Sequence, residues 1–367
     1  MSKKIEKFTA VKVKKDSSNN TNDVKKKYHF KNLVFEGGGV KGIAYVGALE
    51  VLDKEGILKD IKRVAGTSAG AMVAVLVGLG YSTDELKDIL WNLEFNSFLD
   101  KPVGLFGKIE YLKKHFGYYK GQYFRDLMAN KIEEKTGNGE ITFEDLAKTG
   151  KYRDIHLIGS DLTTGFSKVF NAELTPDIKV ADAARISMSI PIFFSAIRGV
   201  NNDGHVYVDG GLLDNYYIKA FDRYDFVEDK TNARETEYYE KTNETLMKKT
   251  GSTNYYVYNK ETLGFRLDSK EEIEKFRHPD MPMPKKNDIK TLYSYLKALV
   301  TTLIDFQDNV HLHSDDWQRT IYIDSKGVNS VNFGLSESEK WDLVESGITN
   351  TIEYLKWYNG NEPKANK

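Results

Sequence analysis

Apolar and polar positions follow two alternating periods through the first 220 of the 367 residues. Lys31–Phe35 is a short apolar run bounded by polar residues, which predicts a buried strand. Glycines follow, and Ile43–Leu52 then has helical spacing that ends near Gly56. Ile61–Ala65 predicts a second strand, and the apolar positions of Ala69–Val77 a buried helix. Ser82-Thr83-Asp84-Glu85 is a helix-capping start and Tyr123–Glu134 an amphipathic helix, so 82–135 reads as a helical interruption. The Gly-, Phe- and Tyr-rich stretch between them, 98–121, would either cover a site or pack on the sheet. Asp154–Asp161 and Ser167–Asn171 predict a strand pair, and His205–Val208 a short alternating strand. Such alternation predicts an α/β fold with a mainly parallel sheet covered on both faces.

Beyond residue 220 the pattern changes. Asp222–Asn259 is dense in Glu, Lys, Asn and Tyr with little apolar periodicity, and is expected to be a mobile excursion or lid. Leu292–His311 has an apolar helical face, Thr320–Asp324 alternates as a strand, and Ser336–Tyr358 is an amphipathic helix opened by a capping box. These elements, within 288–358, are expected to complete the same sheet. One domain spanning 28–358 follows, with its chemical motifs in 33–220. Residues 1–27 carry nine lysines and no apolar stretch, and read as a disordered tail without a secretory signal of the usual kind.

Composition narrows the chemistry. The chain has no cysteine, which excludes disulfide and thiol chemistry. Its net charge of −1 gives no argument for nucleic acid, and no apolar run reaches the length of a membrane-spanning helix.

Three short segments could carry a reaction. Gly37-Gly38-Gly39-Val40-Lys41-Gly42 sits between a predicted strand and a helix start, where backbone N–H groups and the helix dipole favour an anion. That anion could be a nucleotide phosphate, since Gly37-x-Gly39-x-x-Gly42 matches the dinucleotide fingerprint with Asp53, Glu55 or Asp60 as the distal acid. It could equally be an oxyanion, or the glycines could mark only a tight turn. Gly66-x-Ser68-x-Gly70, between strand and helix, fits a nucleophile elbow that pushes a serine hydroxyl out of the sheet, with the next N–H facing a developing oxyanion. Serine needs a base. None of the seven histidines lies in a context that marks a catalytic one, whereas Asp209 follows a strand and precedes Gly210-Gly211, which would let its carboxylate approach another backbone closely.

Together, Glu36-Gly37-Gly38-Gly39-Val40-Lys41-Gly42, Gly66-Thr67-Ser68-Ala69-Gly70 and Asp209-Gly210-Gly211 resemble the patatin-like phospholipases, whose pattern is D/E-G-G-G-x-R/K-G, then G-T-S-x-G, then D-G-G or D-G-A. Ala181–Pro191 also looks family-like, and the resemblance covers roughly 30 to 220. It implies a three-layer α/β/α fold with helical or lid insertions and a Ser68–Asp209 dyad without histidine. It implies an oxyanion hole from the N–H groups of Gly38 and Gly39, helped by Gly37 or Val40. Lys41 would either add positive field at the loop or be a solvated lysine at a helix start. The family's reaction requires no metal and no redox cofactor. Its partners would be a lipid substrate and, transiently, a membrane surface, and some bacterial members need an activator. The chain would be cytoplasmic, or delivered as an effector, and peripheral on a membrane when active. Two other readings remain at this point: a Ser-His-Asp esterase using His278, His311 or His313, and a phosphate-binding module built on the glycine loop.

Overall fold

The structure, a computed structural model, describes residues 28–98, 105–200, 203–251, 253–271, 315–330 and 334–360, with isolated positions between 273 and 303 and at 332. The lysine-rich tail, His278, His311, His313 and most of the predicted helix 292–311 lie outside the described residues.

Eight strands form the main sheet among the described residues. In chain order they are β1 (Asn32–Phe35), β2 (Arg63–Thr67), β3 (Asp154–Asp161), β4 (Phe166–Phe170), β5 (Ile197–Arg198), β6 (Val206–Asp209), β7 (Thr262–Asp268) and β8 (Thr320–Asp324). The spatial order is β8-β7-β1-β2-β3-β6-β5, with β4 paired to β3 as a hairpin. From β8 through β3 every pairing is parallel. At the other edge, β6 runs antiparallel to both β3 and β5. The predicted C-terminal strand therefore does join the sheet, and β7, which the sequence pattern does not single out, lies between it and β1.

The expected second strand is displaced by two residues. Ile61 instead receives the end of a 3₁₀ turn at Leu58–Asp60, and Lys62 N–H donates to Lys31 O at 2.7 Å, so that pairing with β1 begins at Arg63. The displacement carries β2 to the residue before Ser68.

The large core lies on the sheet face that receives Leu33, Phe35 and Val64. Helices α1 (Ala44–Lys54), α2 (Ala69–Gly78), α3 (Thr83–Trp91), α4 (Leu105–His115), α5 (Gln122–Thr136), α6 (Phe143–Lys148) and α7 (Val180–Ser187) precede β5 in the chain; α8 (Glu237–Thr250) and the 22-residue α9 (Glu337–Tyr358) follow β6. Every residue of α2 is buried, as its unbroken apolar sequence requires. The capping boxes predicted at Ser82 and Ser336 both form, each serine accepting from the third helical N–H. The opposite sheet face, carrying Val34 and Ala65, is covered by Tyr216 and by Ile218, Ala220 and Phe221 of a short 3₁₀ turn. No helix among the described residues is long and apolar enough to cross a membrane.

The segment 222–259, expected to be a mobile excursion or lid, has anchors that its sequence did not indicate. It contains α8, and it is fastened to the amino-terminal ends of the strands. Glu228 pairs with Lys62 (2.6 Å) and Arg63 (2.9 Å) at the start of β2, and Asp222 pairs with Arg319 just before β8. Ser68 sits past the carboxyl end of β2, at the other side of the sheet. The sequence hid this because the anchors are charged and tyrosyl groups, which leave no apolar period.

Candidate active site

Strand register brings the candidate nucleophile and the candidate base together. Thr67 pairs with Ile158, and the next β3 residue, Gly159, pairs with Asp209. Ser68 and Asp209 thus flank β3 at the same level, although 141 positions separate them in the chain.

Ser68 has φ 53° and ψ −122°, a backbone state that side chains rarely adopt, and caps the buried helix α2. Its N–H donates to Ser187 Oγ at 2.9 Å, and that hydroxyl donates to Ile158 O at 2.6 Å. The flanking glycines permit the turn: a Cβ on Gly66 would meet Gly70 O at 2.2 Å, and one on Gly70 would meet Phe35 O at 2.4 Å. The Ser68 hydroxyl lies 3.7 Å from Met188 Sδ.

Asp209 is buried at the end of β6, with Gly210 and Gly211 in the 3₁₀ turn that follows. Its Oδ1 accepts from Gly211 N–H at 2.7 Å, while Oδ2 has no hydrogen-bond partner of ordinary geometry among the described residues. Burial drives its pKa up to about 7; the Gly211 N–H, the nearby Ser68 hydroxyl and the Arg185 charge each offset part of that rise.

The glycine loop leads from β1 into a 3₁₀ turn, Gly39–Ile43, and only then into α1. Gly39 takes φ +56°, with a Cβ position blocked by Ser330 O at 2.0 Å. Two N–H groups expected to help at an oxyanion are already engaged: Gly37 N–H donates to Asn215 O at 3.1 Å, and Val40 N–H to Ser330 O at 3.0 Å. The N–H groups of Gly38, Gly39 and Ala69 have no such commitment among the described residues. Gly42 sits against Ala69 at the head of α2.

Glu36 and Lys41 bracket the loop and grip one residue of β7. Glu36 Oε2 accepts from Leu267 N–H at 2.6 Å, and Lys41 Nζ donates to Leu267 O at 3.0 Å. Lys41 is thus committed to the carboxyl end of β7 rather than solvated. Asn215 adds a second fastening: its Nδ2 donates to Gly37 O at 3.2 Å and its own backbone O accepts from Gly37 N–H. Sequence reasoning missed Asn215, and no local signal marks it. Arg185 and Ser187 lay within the family-like stretch 181–191, though nothing there indicated what they hold.

The dinucleotide alternative finds no geometric support. Asp53, Glu55 and Asp60 lie at the far end of α1 and in the turn after it, at the amino-terminal side of β2. Among the described histidines, His156 is held by Asp154 (3.0 Å) and His205 by Asp161 (2.7 Å); neither hydrogen-bonds Ser68 or Asp209.

A family model described as patatin-like phospholipase matches residues 33–222, just over half of the chain. A Bacillus subtilis protein, YqhO, is 31% identical over 335 residues, covering 88% of this chain and 97% of that one. A cGAMP-activated phospholipase of Vibrio cholerae is 27% identical, covering 51% of this chain and 56% of its own. Among solved structures, VipD from Legionella pneumophila superposes with a TM-score of 0.51 at 18% identity, over 90% of this chain and 67% of VipD, a likeness of fold alone. On the strength of the matched motif region and the near full-length relative, the chain belongs to the patatin-like phospholipase family.

Proposed function

We propose that the protein hydrolyses acyl esters of phospholipids or lysophospholipids through a Ser68–Asp209 dyad. The observation that carries this reading is the register that sets a strained serine and a buried carboxylate, basic near neutral pH, on either side of Gly159. In the first half-reaction Ser68 Oγ attacks the ester carbonyl carbon while its proton passes to Asp209 Oδ2. The carbonyl oxygen gains the negative charge and is received by the N–H groups of Gly38, Gly39 and Ala69. Collapse expels the alcohol, which leaves with the proton from Asp209, and the acyl group stays on Ser68. Water then attacks the acyl-enzyme, giving its proton to Asp209, and the fatty acid departs as Ser68 recovers a proton. A carboxylate of pKa about 7 is better matched to this work than an ordinary one near 4. Lipid hydrolase relatives, among them one from Invertebrate iridescent virus 6 described as a probable lipid hydrolase, support the substrate class.

The test is fatty-acid release from mixed phospholipid vesicles with chelator present. Wild type should release fatty acid, and Ser68→Ala and Asp209→Asn should each lose at least about a hundredfold in rate. A combined replacement of His278, His311 and His313 should retain full activity. Loss in that histidine variant would move the base to a histidine. A silent wild type is assayed again with cyclic dinucleotide and with cell extract, because a relative is cGAMP-activated; silence there, with no fluorophosphonate labelling of Ser68, overturns the reading.

A further inference from the structure

Beside the site, two apolar residues hold backbone states that cost energy. Phe116 has φ 61° and Ile192 φ 70°, although neither is glycine, and Ile192 is β-branched. They are neighbours, because Gly117 pairs with Ile192 in a small parallel ladder separate from the main sheet. Phe116 is 47% exposed, and the Arg198 guanidinium stacks 4.5 Å from its ring centre.

This lip adjoins Ser68 through a few residues. Met188 Sδ touches the Ser68 hydroxyl, Ser189 O accepts from Asp209 N–H at 2.8 Å, and Ile190 through Phe193 continue as half-buried apolar positions. Strain concentrated beside a candidate active site points to a task other than packing.

The lip is also cationic. Lys113, Lys114, Lys120 and Arg198 are exposed, and no ion pair engages any of them among the described residues. Within 110–120 and 188–200 the one acidic residue is Glu110. The whole chain balances 53 Lys and Arg against 54 Asp and Glu, so the local excess is not a reflection of composition. An exposed apolar tip ringed by unpaired cations fits an interface that is apolar just beneath an anionic surface.

We propose that Phe116 and Ile192, with Lys113, Lys114, Lys120 and Arg198, dock the protein on an anionic phospholipid bilayer and set the opening beside Ser68 against the lipid. The cations meet headgroup phosphates, and the aromatic tip enters the acyl boundary, leaving Met188 and the 190–193 stretch to receive the acyl chain. This assignment rests on the lipid-hydrolase reading for its purpose, but its binding step does not require turnover.

The experiment separates the two. Full-length protein carrying Ser68→Ala is floated with vesicles of phosphatidylcholine alone and of phosphatidylcholine mixed with phosphatidylglycerol. Phe116→Asn, which keeps a residue tolerant of positive φ, and a quadruple change of Lys113, Lys114, Lys120 and Arg198 to Gln are added to that background. The tail 1–27 is kept in every form so that its lysines contribute equally. Expected is binding to the mixed vesicles that weakens with salt, a fall of about tenfold or more in the quadruple variant, and a clear loss in Phe116→Asn. With Ser68 restored, turnover of a water-soluble short-chain ester should be unchanged by either set. Variants that bind like their parent, or a parent that binds both vesicles equally without salt dependence, would overturn the docking surface and leave hydrolysis standing. So would salt-sensitive binding to a soluble polyanion without binding to vesicles. Charge-dependent docking by a protein that hydrolyses no ester, with cyclic dinucleotide and cell extract present and no fluorophosphonate labelling of Ser68, would retain the surface and sink the hydrolase reading.

Discussion

Burial gives Asp209 its basicity and also a cost in stability. Its carboxyl rises from 3.8 to about 7 in the folded chain, so between those values the folded state holds a proton that the unfolded state has released. Stability therefore falls as pH rises from about 4 to about 7 and is lowest, from this group, above both values. At about 1.4 kcal/mol per pH unit the full effect is on the order of 4 kcal/mol, an upper bound for one buried group. Asp209→Asn should accordingly gain stability relative to wild type at pH 8, by about 1–4 kcal/mol, and gain little or nothing at pH 4; urea unfolding at the two values measures the difference. In the wild type, kcat/KM for a soluble ester should climb with pH and level off above an inflection near 7. An inflection near 4, or a stability gain in Asp209→Asn that is the same at both pH values, would show a carboxylate ionised in the ordinary range.

At the scale of elements, the glycine loop works as one piece because both charged residues of its motif hold the same β7 residue, one by the N–H and the other by the carbonyl. Lys41→Met should keep the fold, since the N–H grip of Glu36 and the Asn215 fastening remain, but leave the carbonyl of Leu267 without that donor and the loop less well placed. The expected result is a fall of about tenfold in kcat with KM nearly unchanged, because an oxyanion donor matters in the transition state more than in the bound ester. Partial rescue in Lys41→Arg would assign the loss to the lost contact, whereas a rise in KM alone would assign Lys41 to substrate binding. How far these elements were legible in the sequence depended on where their determinants lie. Strand β1, the elbow at Ser68 and helix α2 are written in contiguous residues, so period and glycine spacing disclosed them. The grip on Leu267 joins positions 226 apart, and the Asn215 bridge positions 178 apart. Only the sheet order, in which β7 inserts beside β1, brings those pairs together. The antiparallel run of β6 was hidden for the same reason: a four-residue strand carries no mark of its direction.

At the scale of the whole molecule, the strained Ser68 and the buried Asp209 stand at the carboxyl ends of β2 and β6, while a network of charges stands at the amino ends of the parallel strands. Arg319 is buried between Asp222 and Asp316; its Nη2 donates to Asp222 Oδ2 at 2.7 Å and to Asp316 Oδ1 at 2.7 Å, and its Nη1 to Asn259 O at 3.0 Å. Lys219 pairs with Asp316 at 3.0 Å, and Tyr239 of α8 donates to Asp222 Oδ2 at 2.6 Å. This network ties α8 and the 222–259 segment to the start of β8 through charged and tyrosyl groups, without an apolar pattern. Removing the guanidinium leaves two carboxylates buried beside one lysine, a situation that typically costs about 3–5 kcal/mol. Arg319→Met should therefore lower unfolding stability by that amount and raise amide exchange across 222–259 first. Activity per folded molecule should stay within about twofold of wild type, because the network stands at the opposite end of the strands from Ser68. Urea unfolding, exchange mapped by segment and turnover normalised to folded fraction test the three statements separately. A large loss of turnover in molecules that remain folded would mean that this segment reaches the site, and would support the covering role that its sequence suggested.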